Sequence, residues 1–312
     1  MGGAVILAVA LNAALDVTYR VDDPVRAYRT HRVARVVAAP GGKAVNTARI
    51  LHRLDTRVLV TGLLGGATGD RVTALLPDGL RHAFQPVVGE TRRTVTVTDP
   101  HDATGFWEPG PTVTDAEWRA FCRRYRAWVA VAPVVVLSGS LPPGIEVDGY
   151  ARLIADAHRY RTPVVLDCDG PALAAALPHH PEVVKPNATE LAAAVPDVDI
   201  TDPAGTVEAA HRLRAAGAGA VVASRGADGL VAVTERTTIV ATPGTVVAGN
   251  PTGAGDAVVA AVARGLRHGA SWPVLARDAV ALSAASVAAP AAGDVSVPEY
   301  LNHRHLVTVR EL

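Results

Sequence analysis

The chain is poor in cysteine, has no surplus of charge of either sign and contains no long hydrophobic run. Its two cysteines, Cys122 and Cys168, lie far apart in neither a CxxC nor a Cys/His arrangement. A disulfide framework and a structural zinc site are thereby excluded as organising features. Thirty basic residues balance thirty acidic ones, for a formal net charge of zero. The basic surplus with which proteins neutralise nucleic-acid phosphates is missing, although a local pocket for one small anion is compatible with that balance. The apolar stretch 4–11 is too short to cross a bilayer and reads as a strand, with no basic segment before it. A soluble, cytoplasmic protein with no nucleic-acid and no membrane partner is expected. Linkers, low-complexity tracts, internal repeats, the GxxxxGK[ST] spacing and HExxH are also absent. His179, His180, His303 and His305 read as solvated surface histidines, and Arg119, Arg123, Arg124 and Arg126 as a solvated helix face.

What is present is a chain of 312 residues, 49% hydrophobic, long enough for a large core. Short valine-rich runs recur at Val5–Leu11, Val58–Leu63, Val134–Leu137, Val164–Asp167, Val183–Lys185, Ala220–Ser224 and Leu230–Val233. Helical patterns fall between them at Val45–Leu54, Asp148–Tyr160 and Thr206–Ala216, with a late helix from about Gly255. Continuous apolar strands alternating with helices predict an α/β fold with a parallel sheet covered on both faces. Polar residues stand just after the strands at Ser138, Asp167, Lys185 and Ser224, on the carboxyl edge where open sheets bind ligands. Asp16–Pro40 and Thr91–Trp107 instead alternate with period two, which predicts a small separate β-structure. One domain over 1–312 is expected, with lid strands inserted at about 13–40 and 91–108.

Four glycine- or cap-rich turns carry the chemical signal. Gly253-Ala254-Gly255-Asp256 opens an apolar helical stretch. Unpaired N–H groups and the helix dipole there suit a phosphoryl group, and Asp256 suits a general base; a glycine turn with an aspartate cap is the plainer alternative. Gly41-Gly42-Lys43-Ala44-Val45-Asn46 brings a close backbone approach and two donors to another helix start. Lys185-Pro186-Asn187-Ala188-Thr189-Glu190 places Asn187 and Glu190 three apart, either as oxygen ligands to Mg²⁺ through water or as a helix cap. Ser224-Arg225-Gly226-Ala227-Asp228-Gly229 is a glycine turn after a strand.

In order and spacing these elements resemble the ribokinase-like superfamily, in particular its phosphofructokinase B branch. The resemblance also takes in Leu11-Asn12-Ala13-Ala14-Leu15-Asp16, Gly62–Gly66, Glu90-Thr91-Arg92, Glu108-Pro109-Gly110-Pro111 and Ser138-Gly139-Ser140-Leu141-Pro142-Pro143-Gly144. It implies a three-layer α/β/α fold with a mostly parallel central sheet and a small β-sheet lid. It further implies an ATP-dependent, Mg²⁺-assisted sugar kinase. Asp256 would deprotonate the acceptor hydroxyl, with the N–H groups of Gly253, Ala254 and Gly255 as the anion hole. Asp16, Gly41, Gly42 and Asn46 would bind the sugar, with Ser140 on the same side. Lys43 and Arg92 would hold the phosphate already on the substrate. Lys185, Asn187, Ser224, Gly226 and Gly229 would serve the nucleotide, and Asn187 with Glu190 the magnesium through water. A homodimer through the lid is also implied.

The expected reaction is transfer of the γ-phosphoryl of ATP to a phosphorylated ketohexose, first of all fructose 1-phosphate. Tagatose 6-phosphate, fructose 6-phosphate and a phosphorylated cyclitol are alternatives with the same chemistry, and a non-catalytic sugar- or nucleotide-binding regulator is the alternative of another class. Ala44, Ala13, Trp107 and Asn250-Pro251-Thr252 depart from the branch's usual residues. Ala44 and Trp107 lie on the acceptor side and bear on the identity of the sugar.

Overall fold

The computed structural model describes residues 5–289 and 291–312. Its strands are β1 (Ile6–Ala10), β2 (Ala14–Arg20), β3 (Arg35–Gly41), β4 (Val58–Leu64), β5 (Arg81–Pro86), β6 (Arg92–Thr98) and β7 (Ala103–Trp107). They continue as β8 (Val135–Ser138), β9 (Val164–Asp167), β10 (Val183–Val184), β11 (Ala220–Ser224), β12 (Leu230–Val233), β13 (Thr238–Thr242) and β14 (Thr308–Glu311).

Ten strands form one sheet in the order β14-β13-β12-β11-β10-β9-β8-β1-β4-β5. Neighbours from β5 to β11 run parallel, and β12, β13 and β14 add an antiparallel edge. The central strand β1, Ile-Leu-Ala-Val-Ala, is buried at every position, as a strand covered on both faces must be. One side chain set, Ile6, Ala8 and Ala10, packs under the helices Lys43–Arg53, Ala254–Arg267 and Trp272–Val287. The alternate set, Leu7 and Val9, packs under Asp115–Val129, Gly149–His158 and Pro203–Ala215. This is the expected three-layer arrangement, a mostly parallel sheet between two helical layers.

The helix ends follow local chemistry. Thr114 and Glu117 form a reciprocal capping box at the start of Asp115–Val129. Asp202 caps Pro203–Ala215 through Gly205 N–H, with proline inside the first turn. Every strand expected in the large sheet is present. The pattern did not mark β5, β13 or β14, because β5 is an edge strand of mixed polarity and β14 is short and largely exposed. Edge strands bury less and therefore carry weaker alternation.

The period-two segments supply a separate four-stranded sheet, β3-β2-β6-β7, in which β2 and β6 run parallel and the outer pairs antiparallel. Directly paired residues share a face. One face therefore carries Asp16, Thr94 and Trp107, and the other carries Ala38, Val17, Val95 and Phe106 in a row across all four strands. Of the arginine-rich face on Asp115–Val129, Arg126 pairs with the nearly buried Asp156 at 2.8 Å, and Arg124 lies over the Trp128 ring.

Candidate active site

Topology delivers Ser138, Asp167, Lys185 and Ser224 to the carboxyl edge of the large sheet, each at or just after the end of a strand. Two helices start against the same edge. Lys43–Arg53 follows the glycine pair, and Ala254–Arg267 follows the Gly-Ala-Gly turn.

Asp256 sits in the first turn of the second helix and is 6% exposed. It does not cap its own helix. Its carboxylate accepts from Asn46 Nδ2 at 2.9 Å, and Thr47 Oγ1 donates to its main-chain carbonyl at 3.3 Å. The helix behind it, Ala257 to Ala263, is fully buried against neighbouring helices, so the carboxylate stands on a rigid element. Burial, and then the nearby charge of Asp167, push the Asp256 carboxyl up to about 7, against the donation from Asn46 and the charges of Lys43 and Lys185.

A four-membered charge cluster lies beside it. Lys43 Nζ reaches Asp167 at 3.2 Å and Glu190 at 3.0 Å, and Lys185 Nζ reaches Asp167 at 3.3 Å. Burial opposes the charged form of Asp167, but the two lysines and the Ser138 hydroxyl hold its carboxyl below the usual range. Burial likewise opposes the charge on Lys43, and Asp167 with Glu190 more than offsets it, raising the ammonium above its ordinary value. Removing one partner from the fully buried Lys185–Asp167 pair leaves an uncompensated charge, at a cost of roughly 3–5 kcal/mol.

The turn before Asp256 is shaped for an anion. Gly253 takes φ 91° as the N-cap, a conformation that costs glycine little. A Cβ on Gly255 would lie 3.3 Å from Lys185 Nζ, so that ammonium rests against the turn. Ala254 N–H is turned to Pro251 O at 3.1 Å, and the N–H groups of Gly253, Gly255 and Asp256 are left without a partner among the described residues, open to an anion at the helix start. A cavity of about 360 Å³ opens from Ala254 and Gly255 to Ser224, Gly226 and Gly229, walled by Val258, Val280 and Val287 among others. It combines an apolar wall with a glycine turn and a helix start, the usual make-up of a small-molecule site.

Asn187 and Glu190 form a complete capping box, Asn187 Oδ1 accepting from Glu190 N–H and Glu190 Oε2 from Asn187 N–H, both at 2.8 Å. The cap reading therefore holds in full. Both Glu190 oxygens are engaged, Oε1 by Lys43, but each keeps an acceptor position. That suits a hydrated cation held mainly by phosphates, not an all-protein cage. Among the described residues there is no group of three or more His, Cys, Asp or Glu side chains that could hold a metal.

The small sheet brings the remaining residues together. Gly41 ends β3 against β2, and a Cβ there would fall on the Asp16 carboxyl group. Burial raises the Asp16 carboxyl, while Thr94, Arg92 and Arg49 draw it down. Arg92 Nε donates to Asn12 O at 3.1 Å, and Asn12 Nδ2 donates to Ser140 Oγ at 3.0 Å. Arg92, Asn12 and Ser140 thus form one chain at the mouth of the site. Burial lowers the Arg92 guanidinium and the nearby charge of Asp16 opposes that, and no direct ion pair occupies it among the described residues. Asn12 Oδ1 and Asn46 Oδ1 are buried acceptors without a partner among the described residues.

Lys43 was expected beside Arg92 around the acceptor phosphate; its ammonium instead bridges Asp167 and Glu190, deeper in the site. Asp167, Asn12 and Thr94, to which the sequence motifs assign no specific role, are the connecting residues. Asp167 had a legible signal in its position at the end of Val-Val-Leu-Asp; the other two became evident only from strand pairing.

A buried carboxylate at an open helix start, with lysines on its flank and a nucleotide-sized cavity behind it, is the architecture of an α/β phosphotransferase. Residues 8–299 match the family of pfkB carbohydrate kinases, and the chain belongs to that family. It is a sugar kinase, and carbohydrate kinases of this family use ATP. Its structure is similar to phosphofructokinase-2 from Escherichia coli in complex with potassium, at 28% identity and TM-score 0.90 over 97% of this chain and 98% of that one. It is similar as well to a Thermotoga maritima protein described as a "possible 1-phosphofructokinase", at 26% identity and TM-score 0.87 over 99% of both chains. No helix among the described residues is long and apolar enough to cross a membrane.

Proposed function

We propose that this chain transfers the γ-phosphoryl of ATP to a primary hydroxyl of a phosphorylated ketohexose, with fructose 1-phosphate as the first choice and fructose 1,6-bisphosphate as the product. The observation that carries the reading is Asp256, a buried carboxylate poised near neutrality where the anion-facing N–H groups of the turn meet Lys185. Asp256 takes the acceptor proton as the oxygen attacks the γ-phosphorus, and ADP leaves. Gly253, Gly255 and Lys185 stabilise charge on the transferring group, with Ala254 shaping the turn. Ser224, Gly226 and Gly229 border the nucleotide, and Lys43 bridges toward the phosphate path from its two carboxylates.

On the acceptor side, Asp16 and the unpartnered oxygens of Asn46 and Asn12 suit sugar hydroxyls, and buried acceptors of this kind call for a donor. Arg92 with Ser140 suits the substrate's own phosphate, because a guanidinium with no direct ion pair among the described residues can offer it its remaining N–H groups. Glu190 and the Asn187 turn suit a hydrated Mg²⁺, which would neutralise phosphate charge when bound. A second acceptor, fructose 6-phosphate, has a specific observation in its favour: Escherichia coli phosphofructokinase-2, 28% identical, is described in complex with that sugar.

The apolar row Ala38, Val17, Val95 and Phe106 supports a homodimer through the small sheet, which would act as a lid over the acceptor. A relative of the same identity is described in a tetrameric inhibited form. Dependence on ATP supports a cytoplasmic location. The decisive experiment is an ATP-consumption screen across phosphorylated and free ketoses, aldoses and cyclitols. Turnover confined to unphosphorylated sugars would overturn the sugar-phosphate reading.

A further inference from the structure

Trp107 closes the edge strand β7 and is 77% exposed. It pairs with Thr94, and Thr94 pairs with Asp16, so indole and carboxylate share one face of the small sheet. Arg92, two residues before Thr94, projects to that face too. The side chain of Thr94 donates to the Asp16 carboxylate, which ties the middle of the row together. Gly105 lies two residues before Trp107 on the same face, and a Cβ there would sit 3.1 Å from the indole Nε1. The absence of that Cβ lets the ring rest back on the strand. An indole so placed contributes little to the core, since all of β7 is exposed.

We propose that Trp107 is a specificity-determining residue whose indole stacks on the C–H face of the acceptor held by Asp16 and Arg92. The inference rests on the acceptor reading given above and extends it to substrate class. Two strand spacings separate Trp107 from Asp16, about 9–10 Å, enough for a ring to lie across the face. An aromatic platform offers a large apolar contact and one N–H donor at its edge. A carboxylate for hydroxyls, a guanidinium for phosphate and an indole for carbon together select a cyclic phosphorylated polyol, a furanose or a cyclitol, over an open chain.

The test compares wild type, Trp107→Ala and Trp107→Phe with fructose 1-phosphate, fructose 6-phosphate, tagatose 6-phosphate and a cyclitol monophosphate. Trp107→Ala should raise KM for the preferred acceptor about tenfold or more, the size of one lost apolar contact. Its kcat should stay within about threefold and its KM for ATP should not move. Trp107→Phe, which keeps an aromatic face, should restore most of the affinity. Acceptor addition should change the tryptophan emission of wild type and not that of Trp107→Phe. Unchanged acceptor KM in Trp107→Ala, with an active wild type, overturns the role of Trp107 alone. Parallel loss of kcat and ATP affinity in both variants makes the residue structural and overturns it as well. A wild type inactive on every phosphorylated acceptor sinks the acceptor reading, and this proposal with it.

Discussion

Asn46 Nδ2 donates to Asp256 Oδ2 at 2.9 Å, joining residues 210 positions apart and fixing the carboxylate in one orientation. The base is thus aimed by a side chain from the helix that follows the glycine pair, and its ionised form is favoured by the same bond. Replacing Asp256 by Asn keeps the shape and removes the proton acceptor. Asp256→Asn should lower kcat by roughly 10²–10⁴-fold, with little change in nucleotide affinity. Near wild-type turnover in a coupled ADP assay would remove Asp256 from the mechanism.

The same bond makes a prediction about pH. The base must be ionised to work, and burial beside Asp167 raises its carboxyl to about 7. Activity should therefore fall as pH drops through 7, about tenfold per unit on the acid side. Asn46 stabilises the charged form, so Asn46→Ala should move that limb to higher pH. A profile flat from pH 8 to pH 5, or a limb shifted downward in the variant, would contradict the assignment.

Much of this was legible in the chain because it depended on local pattern. Val-Val-Leu-Asp announces a buried strand with a carboxylate at its end, and Gly-Ala-Gly-Asp announces a helix start with a forward-facing turn. What could not be read was which distant residues meet. The sequence reads Lys43 as an acceptor cation beside Arg92, yet Asp167 at the end of β9 and Glu190 in the short helix after β10 lie within reach of its ammonium. Asn187 and Glu190 looked like either ligands or a cap, and the cap bonds are local enough to form regardless of any metal. The face on which Trp107 falls follows from the register of β6 with β7, which a one-residue slip would reverse.

Glu190 offers a test of the metal. Glu190→Gln keeps an oxygen that can accept from Asn187 N–H and removes the negative charge near Lys43. The magnesium concentration needed for half-maximal activity at fixed ATP should rise, because a hydrated cation loses one charged oxygen from its surroundings. An unchanged magnesium curve would leave Glu190 with its capping role alone.

The outer face of the small sheet predicts assembly. Phe106 is 60% exposed and continues an apolar row through Val95 and Val17. Phe106→Asp would place a charge in the middle of a buried two-fold contact. Sedimentation should give a dimer for wild type and a lighter species for the variant. A wild type monomeric at all accessible concentrations would dismiss the dimer.

Arg92 decides whether the substrate carries a phosphate of its own. Its Nε is fixed on Asn12 O, its neighbour Ser140 is exposed at the mouth, and no carboxylate pairs with it among the described residues. A partly buried guanidinium with no direct ion pair, only the nearby charge of Asp16, is costly to leave empty, so a site built around it should demand the anion. Sites that hydrogen-bond a substrate group reject the analogue lacking it by about 10⁴–10⁵-fold. Fructose 1-phosphate, or another sugar phosphate, should therefore exceed its free sugar by at least roughly 10³-fold in kcat/KM, a margin set below that range. Arg92→Ala should narrow the gap by damaging the phosphorylated substrate far more than the free one. Both sugars can be run on wild type and variant in one coupled ADP assay. Equal reaction of the free sugar would remove the phosphate subsite and leave a kinase of unphosphorylated carbohydrates.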